Sequence, residues 1–271
     1  MNTGTAATRT AVARAWEPVL RQAGAQGQEL GEQILALAHQ IAKHRLSGPL
    51  TDPGRTPEHK ADLATRLFSG RVDARIVELL CACVRGRWSQ PVNLLTALHD
   101  LGVQAILAGA RAAGRIEVVE QEIFGVSQQL HNNTELRRAL EPSRRTSTED
   151  RVRLARQVFS PVISPAAMSL VVWCVRHRAL GGVPYNLRRV TQLAAALQNR
   201  TIADVVTAVP MTVAQEERLR IILQRRLGTD IELNTQVDPA VIGGMRIRVR
   251  DLVIDSSVRA AVAQVRDSLV G

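Results

Sequence analysis

The sequence predicts a mainly helical N-terminal part built as a duplicated helical bundle, followed by a small α+β C-terminal domain ordered β-α-β-β-β-α. Three observations support this fold class. An apolar pattern recurs after about 90 residues, apolar positions before residue 200 follow the helical period, and later positions alternate as in strands. We therefore expect an extra helical bundle at 1–90, a second bundle at 91–200 and the α+β domain at 201–271.

The internal repeat is clearest in paired positions that lie 89 to 91 residues apart. The pairs are Ile34/Ile123, Leu37/Val126, Ile41/Leu130, Leu46/Leu136, Leu50/Leu140, Leu63/Leu154, Phe68/Phe159, Cys83/Cys174, Val84/Val175, Arg85/Arg176 and Arg87/Arg178. Two copies are too few for a solenoid, which usually stacks three or more repeats. The duplication of a small bundle is the better interpretation.

Proline, glycine and capping residues divide the N-terminal part into helices. In the first copy the predicted spans are 8–23, 28–46, 57–69 and 73–87. In the second copy they are 91–112, 116–139, 147–159, 164–178 and 184–199. Aromatic residues make up only 3% of the chain, so Leu, Val, Ile and Ala are expected to fill the cores of these bundles.

The C-terminal domain is predicted to begin with a strand at 202–209. Thr212 and Gln215 form a capping box for a helix that we expect to end at Gly228. A second strand is predicted at 231–237, where apolar and polar residues alternate. This order of elements predicts a small mixed layer of strands and a helix.

The glycine pair Gly243-Gly244 opens the most distinctive segment of the chain. Apolar residues there alternate with arginines, which predicts a half-buried strand with one apolar and one basic face. The apolar residues are Met245, Ile247 and Val249, and the basic ones are Arg246, Arg248 and Arg250. A return strand at 252–254 and a final capped helix are predicted after it. The cap candidates are Asp255, Ser256 and Ser257, and the apolar positions of the helix are Val258, Val262, Val265 and Leu269.

The net charge of +10 lies entirely in the helical part of the chain. Residues 1–200 contain 26 Lys and Arg against 16 Asp and Glu, whereas residues 201–271 contain 9 against 9. Such an excess is compatible with nucleic acid, an anionic lipid or an acidic protein surface. Because the arginines are spread over many helices, solvated arginine faces are the simpler interpretation.

Catalytic, cofactor and metal motifs are missing from the sequence. There is no Gly-Lys dipeptide for a phosphate loop, no G-x-G-x-x-G after a strand, no H-E-x-x-H and no G-x-S-x-G elbow. Cys81, Cys83 and Cys174 are too few for a zinc site and are interpreted as core thiols of a reduced cytoplasmic protein. The longest apolar run, 170–175, is too short for a membrane span, so we expect neither insertion nor secretion.

A set of residues around the glycine pair carries a family resemblance. They are Leu233-Asn234, Val237-Asp238-Pro239, Ile242-Gly243-Gly244, Ile247-Arg248-Val249, Asp251, Val253-Ile254-Asp255 and Ser257-Val258-Arg259, with Asn133-Thr134-Glu135-Leu136-Arg137 upstream. This pattern resembles the delta subunit of rotary ATP synthases, whose mitochondrial counterpart is the oligomycin-sensitivity-conferring protein. The resemblance covers 91–271, with Arg250 and Ser256 where the family usually has glycine. The extra first copy resembles longer actinobacterial versions.

The resemblance implies a non-catalytic stator subunit without a cofactor. In such enzymes the helical domain binds the N-terminal helix of an alpha subunit in a groove, and the C-terminal domain holds the C-terminal end of the b subunit. Other subunits of the catalytic head are further expected partners. Attachment to the cytoplasmic face of the cell membrane would be peripheral, through the complex alone.

Two sets of candidate contact residues follow from this resemblance. We assign the alpha-subunit groove to Leu94, Leu98, Leu101, Val171, Val172 and Val175, which could equally be plain core residues. We assign the stalk-facing module to Gly243, Gly244, Arg246, Arg248, Arg250, Asp255, Ser257 and Arg259. The three alternating arginines are expected to meet acidic groups at the end of the b subunit.

An alternative function remains open at this point. The net positive charge favours a basic helical factor that binds nucleic acid, whereas the dispersed arginines and the lack of base-stacking aromatics disfavour it. On balance we expect no nucleic-acid partner.

Overall fold

The computed structural model describes residues 3–143, 146–177, 182–198, 200–228, 230–238, 244–249 and 252–255. The chain forms two compact units, Met1–Ala194 and Ala195–Gly271. The first unit contains helices of both sequence copies, and the second contains a small sheet. A mostly helical chain with a small C-terminal sheet is therefore confirmed. The predicted three-part division stays a prediction.

The first unit consists of eleven described helices and a short 3₁₀ turn at Gly24–Gln26. The helices are α1 Thr3–Ala23, α2 Gly27–Lys43, α3 Ser47–Thr51, α4 Pro57–Phe68, α5 Ala74–Arg85, α6 Pro91–Ala112, α7 Ile116–Asn132, α8 Thr134–Leu140, α9 Thr148–Phe159, α10 Pro165–Arg176 and α11 Gly182–Leu197. Most bounds agree with the predicted spans to within a few residues. Three differences stand out: α1 begins five residues before its predicted start, the short helix α3 was not predicted, and 116–139 is two helices. The break occurs because the Asn133 side chain accepts a hydrogen bond from the Leu136 amide and caps α8.

Helix α6 is a core helix of the first unit. Its residues Leu94, Leu98, Leu101 and Ala105 belong to one buried cluster with α1 to α5 of the first copy. Among the described residues, α6 alone is long and apolar enough to cross a membrane, with a mean hydropathy of 1.2, and 61% of that window is buried. The apolar character of α6 is thus used to pack the first copy against it.

Helices α2 and α6 cross at a contact made by glycines. A methyl group on Gly31 would lie 2.5 Å from the carbonyl oxygen of Gly102, and one on Gly109 would lie 2.5 Å from the amide nitrogen of Gln28. A methyl group on Gly27 would lie 2.9 Å from the amide nitrogen of Gly109. Because residue numbers rise along α2 as they fall along α6, the two helices run antiparallel with their backbones in close approach.

A buried cation joins the ends of three helices in the second copy. Arg151 on α9 is only 1% exposed. Its Nη1 donates to the carbonyl oxygens of Leu140 and Val175, at 3.1 Å each, and its Nη2 donates to Oγ1 of Thr148 at 3.0 Å. The two carbonyls lie in the last turns of α8 and α10, where a positive charge complements the helix dipole.

The second unit contains β1 Arg200–Thr207, α12 Val213–Leu227, β2 Asp230–Val237, β3 Met245–Val249 and β4 Leu252–Asp255. The sheet order is β2-β1-β3-β4, with β1 and β2 parallel and the other pairs antiparallel. The Thr212–Gln215 capping box and the left-handed Gly228 at the end of α12 are both confirmed. The predicted final helix lies outside the described residues.

One face of this sheet packs against α12. Val205, Ile247 and Val249 are buried together with Leu219 and Leu223 of the helix. Arg246 on the opposite face of β3 is exposed, and Arg248 is half-buried. The predicted half-buried strand with one apolar and one basic face is therefore confirmed over 245–249.

Candidate partner-binding groove

An open groove of about 610 Å³ lies between α2, α6 and α10 in the first unit. Its α6 side is formed by Val92, Leu95, Thr96 and His99, and its α10 side by Ser169, Val172, Trp173 and Arg176. Leu35, Ala36 and His39 of α2 contribute the third side. The mixture of apolar side chains with a few polar groups is typical of a binding surface.

Stacked rings form part of the groove. The rings of Trp173 and His177 are stacked with centroids 5.2 Å apart and an interplanar angle of 12°. His99 lies beside them, with its centroid 4.3 Å from that of His177. The Trp173 indole donates a hydrogen bond to Nδ1 of His99 at 3.0 Å. These contacts fix the half-buried His99 and His177 rings against the buried Trp173 at the junction of α6 and α10.

The His99 imidazole is neutral at physiological pH. Burial lowers its pKa from 6.5 to about 3, and the positive charges of His177 and Arg189 add to the effect. Burial also lowers the pKa of His177. A neutral His99 that accepts at Nδ1 carries its proton on Nε2, so the hydrogen bond from Trp173 fixes its tautomer.

This burial predicts that the protein loses stability in mild acid. Between pH 6.5 and 3 the unfolded chain protonates His99 while the folded chain does not, so the free energy of unfolding falls as pH falls through this window. One such group contributes a slope approaching about 1.4 kcal/mol per pH unit. Urea unfolding at several pH values should show a smaller slope for His99→Gln than for the wild type. An unchanged slope would contradict the neutral His99.

Charge at the groove is mixed. Arg156 and Arg176 line it and are exposed. Arg176 pairs with Glu149 at 3.1 Å, where both side chains are largely solvated. Glu32 of α2 is a lining carboxylate, and its Oε1 accepts a hydrogen bond from Oγ of Ser169 at 2.6 Å. The groove therefore suits a partner with an apolar stripe and acidic neighbours.

The side chains assigned to the alpha-subunit groove lie in the core. The six are Leu94, Leu98, Leu101, Val171, Val172 and Val175, and the most exposed of them, Val172, is 7% exposed. They lie on α6 and α10, two of the three helices around the groove, but of these six side chains Val172 alone lines it. Leu94, Leu98 and Leu101 are buried because the first copy covers that face of α6. Val171 and Val175 are buried on α10. Their contact with a partner stays a prediction.

The stalk-facing assignment is described only in part. Gly244 has a left-handed backbone with φ of 71°, a conformation that favours glycine. Arg248 on β3 is paired in register with Asp204 on β1, so a carboxylate interrupts the expected single-sign stripe. Asp255 ends β4. Gly243, Arg250, Ser257 and Arg259 lie outside the described residues.

Sequence reasoning missed an apolar surface on the second unit. A cavity of about 540 Å³ is lined by Val209, Met211, Ile222 and Met245 among others. Val209 is 69% exposed and Ile222 is 52% exposed. Ile222 belongs to the apolar pattern of α12 in the sequence, but Leu219 and Leu223 alone of that pattern are buried against the sheet.

The cysteines are not a reactive site. All three are free and buried, which confirms their interpretation as core thiols. Burial raises the pKa of Cys83 to about 12 and that of Cys174 well above its ordinary value, so both thiols resist ionisation.

Comparisons with known proteins identify the family. The family description "ATP synthase delta (OSCP) subunit" matches residues 103–269. "ATP synthase subunit delta" of Beutenbergia cavernae is 34% identical over 272 residues, covering 100% of both chains. The same subunit of Acidothermus cellulolyticus is 33% identical over 270 residues, covering 97% of this chain and 98% of that one. These relatives lend no support to nucleic-acid binding.

A solved structure titled "Cryo-EM structure of Toxoplasma gondii mitochondrial ATP synthase hexamer, composite model" contains a chain with 20% identity and a TM-score of 0.37. The alignment covers 62% of this chain and 95% of that one, and is too weak a likeness to define the fold. The family match over more than half of the chain, together with full-length relatives, shows that this protein belongs to the ATP synthase delta (OSCP) subunit family, whose members are structural and not catalytic.

Proposed function

We propose that this stator subunit links the catalytic head of a rotary proton-translocating ATP synthase to the peripheral-stalk b subunit, so that rotation is coupled to ATP synthesis. The observation that carries the proposal is the groove between α6 and α10 in the family-type bundle. A stator must hold the head against torque. Several extended contacts with amphipathic helices suit this task, because each buries apolar anchors and together they add avidity.

The N-terminal helix of an alpha subunit is the proposed occupant of the groove. Val92 is 53% exposed at the start of α6 and offers an apolar contact beside Leu95. The half-buried His177 ring, stacked on the buried Trp173 ring, supplies a fixed contact for a helical partner. The guanidinium of Arg156 favours an acidic residue next to the apolar stripe of that helix, whereas Arg176 is already paired with Glu149.

The first copy is proposed to be a duplicate of the family-type bundle. Helices α2, α4 and α5 have 17, 12 and 12 residues, as α7, α9 and α10 do. Lys60 on α4 occupies the position equivalent to Arg151, 91 residues earlier, and is 6% exposed. Its Nζ reaches the carbonyl oxygen of Gly86 at the end of α5, at 3.5 Å. A buried cation at a helix end is thus common to both copies.

The second unit is proposed to hold the C-terminal end of the b subunit. Two surfaces support this: the exposed apolar patch around Val209 and Ile222, and the arginines of β3. Because Asp204 lies opposite Arg248, the apolar patch is the stronger contact of the two. The protein would then lie at the cytoplasmic face of the membrane as a peripheral part of the complex.

A peptide titration tests the groove. A synthetic peptide with the N-terminal sequence of the alpha subunit is titrated against the full chain and against Val92→Asp. We expect the variant to bind the peptide at least about tenfold more weakly, because a carboxylate replaces an apolar contact beside a docked helix. Val162→Asp is the matched control, since Val162 is 64% exposed in the turn before α10 and does not line the groove.

The comparison between the two variants decides the outcome. If Val92→Asp and the wild type bind the peptide with equal affinity and have the same circular dichroism, the groove is not the binding site of the alpha subunit. A loss of affinity in Val162→Asp of the same size would show that the effect is not local to the groove.

A further inference from the structure

The groove has a side that a single family-type bundle would not supply. Helix α2 belongs to the first copy, and its exposed residues Ala36, His39 and Gln40 line the groove opposite α6 and α10. The partner-binding surface is therefore made of both copies. This placement gives the first copy a direct route to affect what the groove binds.

Helix α2 is held firmly in that place. Its N-terminal half crosses α6 at the glycine contact, where Gly31 lies against Gly102 and Ile106. Glu32 is hydrogen-bonded to Ser169 of α10 at 2.6 Å. Leu94, Leu98 and Leu101 of α6 share a buried core with the first copy. The third side of the groove is thus a fixed wall and not a flexible flap.

Helix α2 also limits the length of α6 that a partner can reach. One stripe of α6 continues from Val92, Leu95 and His99 in the groove to Gly102, Ile106 and Gly109 beneath α2. The close backbone contacts lie at Gly102 and Gly109, whereas the lining residues of α6 run from Val92 to His99, about 11 Å of helix. A helix docked on α6 would meet the side of α2 at the point where the glycine contact begins.

We propose that the first copy is a specificity element of the groove: α2 contacts the docked helix and sets how far it extends along α6. The occupant is an amphipathic helix whose short apolar stripe matches Val92 and Leu95. Its acidic residues would face Arg156, because Arg176 is already paired with Glu149. This inference rests on the proposed function, in which that helix is the N-terminal segment of the alpha subunit.

The substitution Ala36→Trp in the full chain tests whether α2 contacts the docked helix. Ala36 is exposed, so an indole is tolerated by the fold but projects into the space between α2 and α6. We expect the alpha N-terminal peptide to bind Ala36→Trp about tenfold or more weakly than the wild type. Ala15→Trp is the matched control, because Ala15 is also an exposed helical alanine and lines none of the described cavities.

The result separates this inference from the proposed function on which it rests. If the peptide binds both Val92→Asp and Ala36→Trp more weakly and binds Ala15→Trp like the wild type, the contact between α2 and the docked helix is supported. If the peptide binds Val92→Asp more weakly but binds Ala36→Trp like the wild type, α2 does not contact the docked helix. The groove then remains the binding site. Unchanged binding to both variants, or no binding to the wild type, overturns both.

Discussion

Replacing Gly31 with alanine is expected to destabilise the first unit by about 1–3 kcal/mol, because the added methyl group overpacks a backbone contact. That methyl would lie 2.5 Å from the carbonyl oxygen of Gly102 and 2.7 Å from the amide nitrogen of Ile106, distances that real Cβ atoms essentially never show. Neither atom is the end of a flexible side chain, so relief requires the helices to move apart. Urea unfolding followed by circular dichroism measures the effect.

Gly125→Ala is the matched control for this prediction. Gly125 lies inside α7, is exposed, and has open space where a methyl group would be added. Without a steric cost, alanine should raise the free energy of unfolding by about 0.5–1 kcal/mol through its better helix propensity. The two substitutions are chemically identical and should differ in sign. The same sign for both would mean that the crossing of α2 and α6 is looser than described.

Arg151→Met is expected to lower the free energy of unfolding by about 2–3 kcal/mol, since it removes charge-assisted hydrogen bonds to the Leu140 and Val175 carbonyls while roughly keeping the volume. Both acceptors lie in the buried part of the second copy, where a lost donor is not replaced readily by water. Thermal unfolding followed by circular dichroism provides the measurement.

Arg153→Met controls for the loss of a positive charge on the same helix. Arg153 pairs with Asp150 at 2.9 Å, but the two side chains are 68% and 50% exposed. Solvated pairs of this kind contribute little, so a change of less than about 1 kcal/mol is expected. A comparable loss from both substitutions would point to a general charge effect rather than to the buried hydrogen bonds.

The order and bounds of the elements were predictable because local signals define them. The Thr212–Gln215 box and Gly228 delimit α12 as expected, and the alternation at 245–249 gives a strand with the expected faces. The interruption at Asn133 was missed. Asn133 is a side-chain cap of the same kind, but the apolar residues keep the helical spacing on both sides of it. The pattern therefore predicted one helix where there are two.

The groove could not be assigned to individual residues from sequence alone. An apolar stripe shows which side of a helix avoids water, not which neighbour covers it. On α6 the strongest stripe, with Leu94, Leu98 and Leu101, is covered by the first copy, and the weaker one through Val92 and Leu95 is left open. The glycines at 27, 31, 102 and 109 were the available signal for that neighbour, since small residues one or two turns apart permit close helix approach.

The glycine contact between α2 and α6 also has a mechanical consequence. Where long side chains separate two helices, their rotamers can yield under load, whereas a crossing of backbone on backbone has little such compliance. A pull on a helix held in the groove would reach α6 first and would then be carried by both copies with little elastic give. Through this contact the force of a docked helix would be shared between α6 and the helices of residues 1–90 that pack against it.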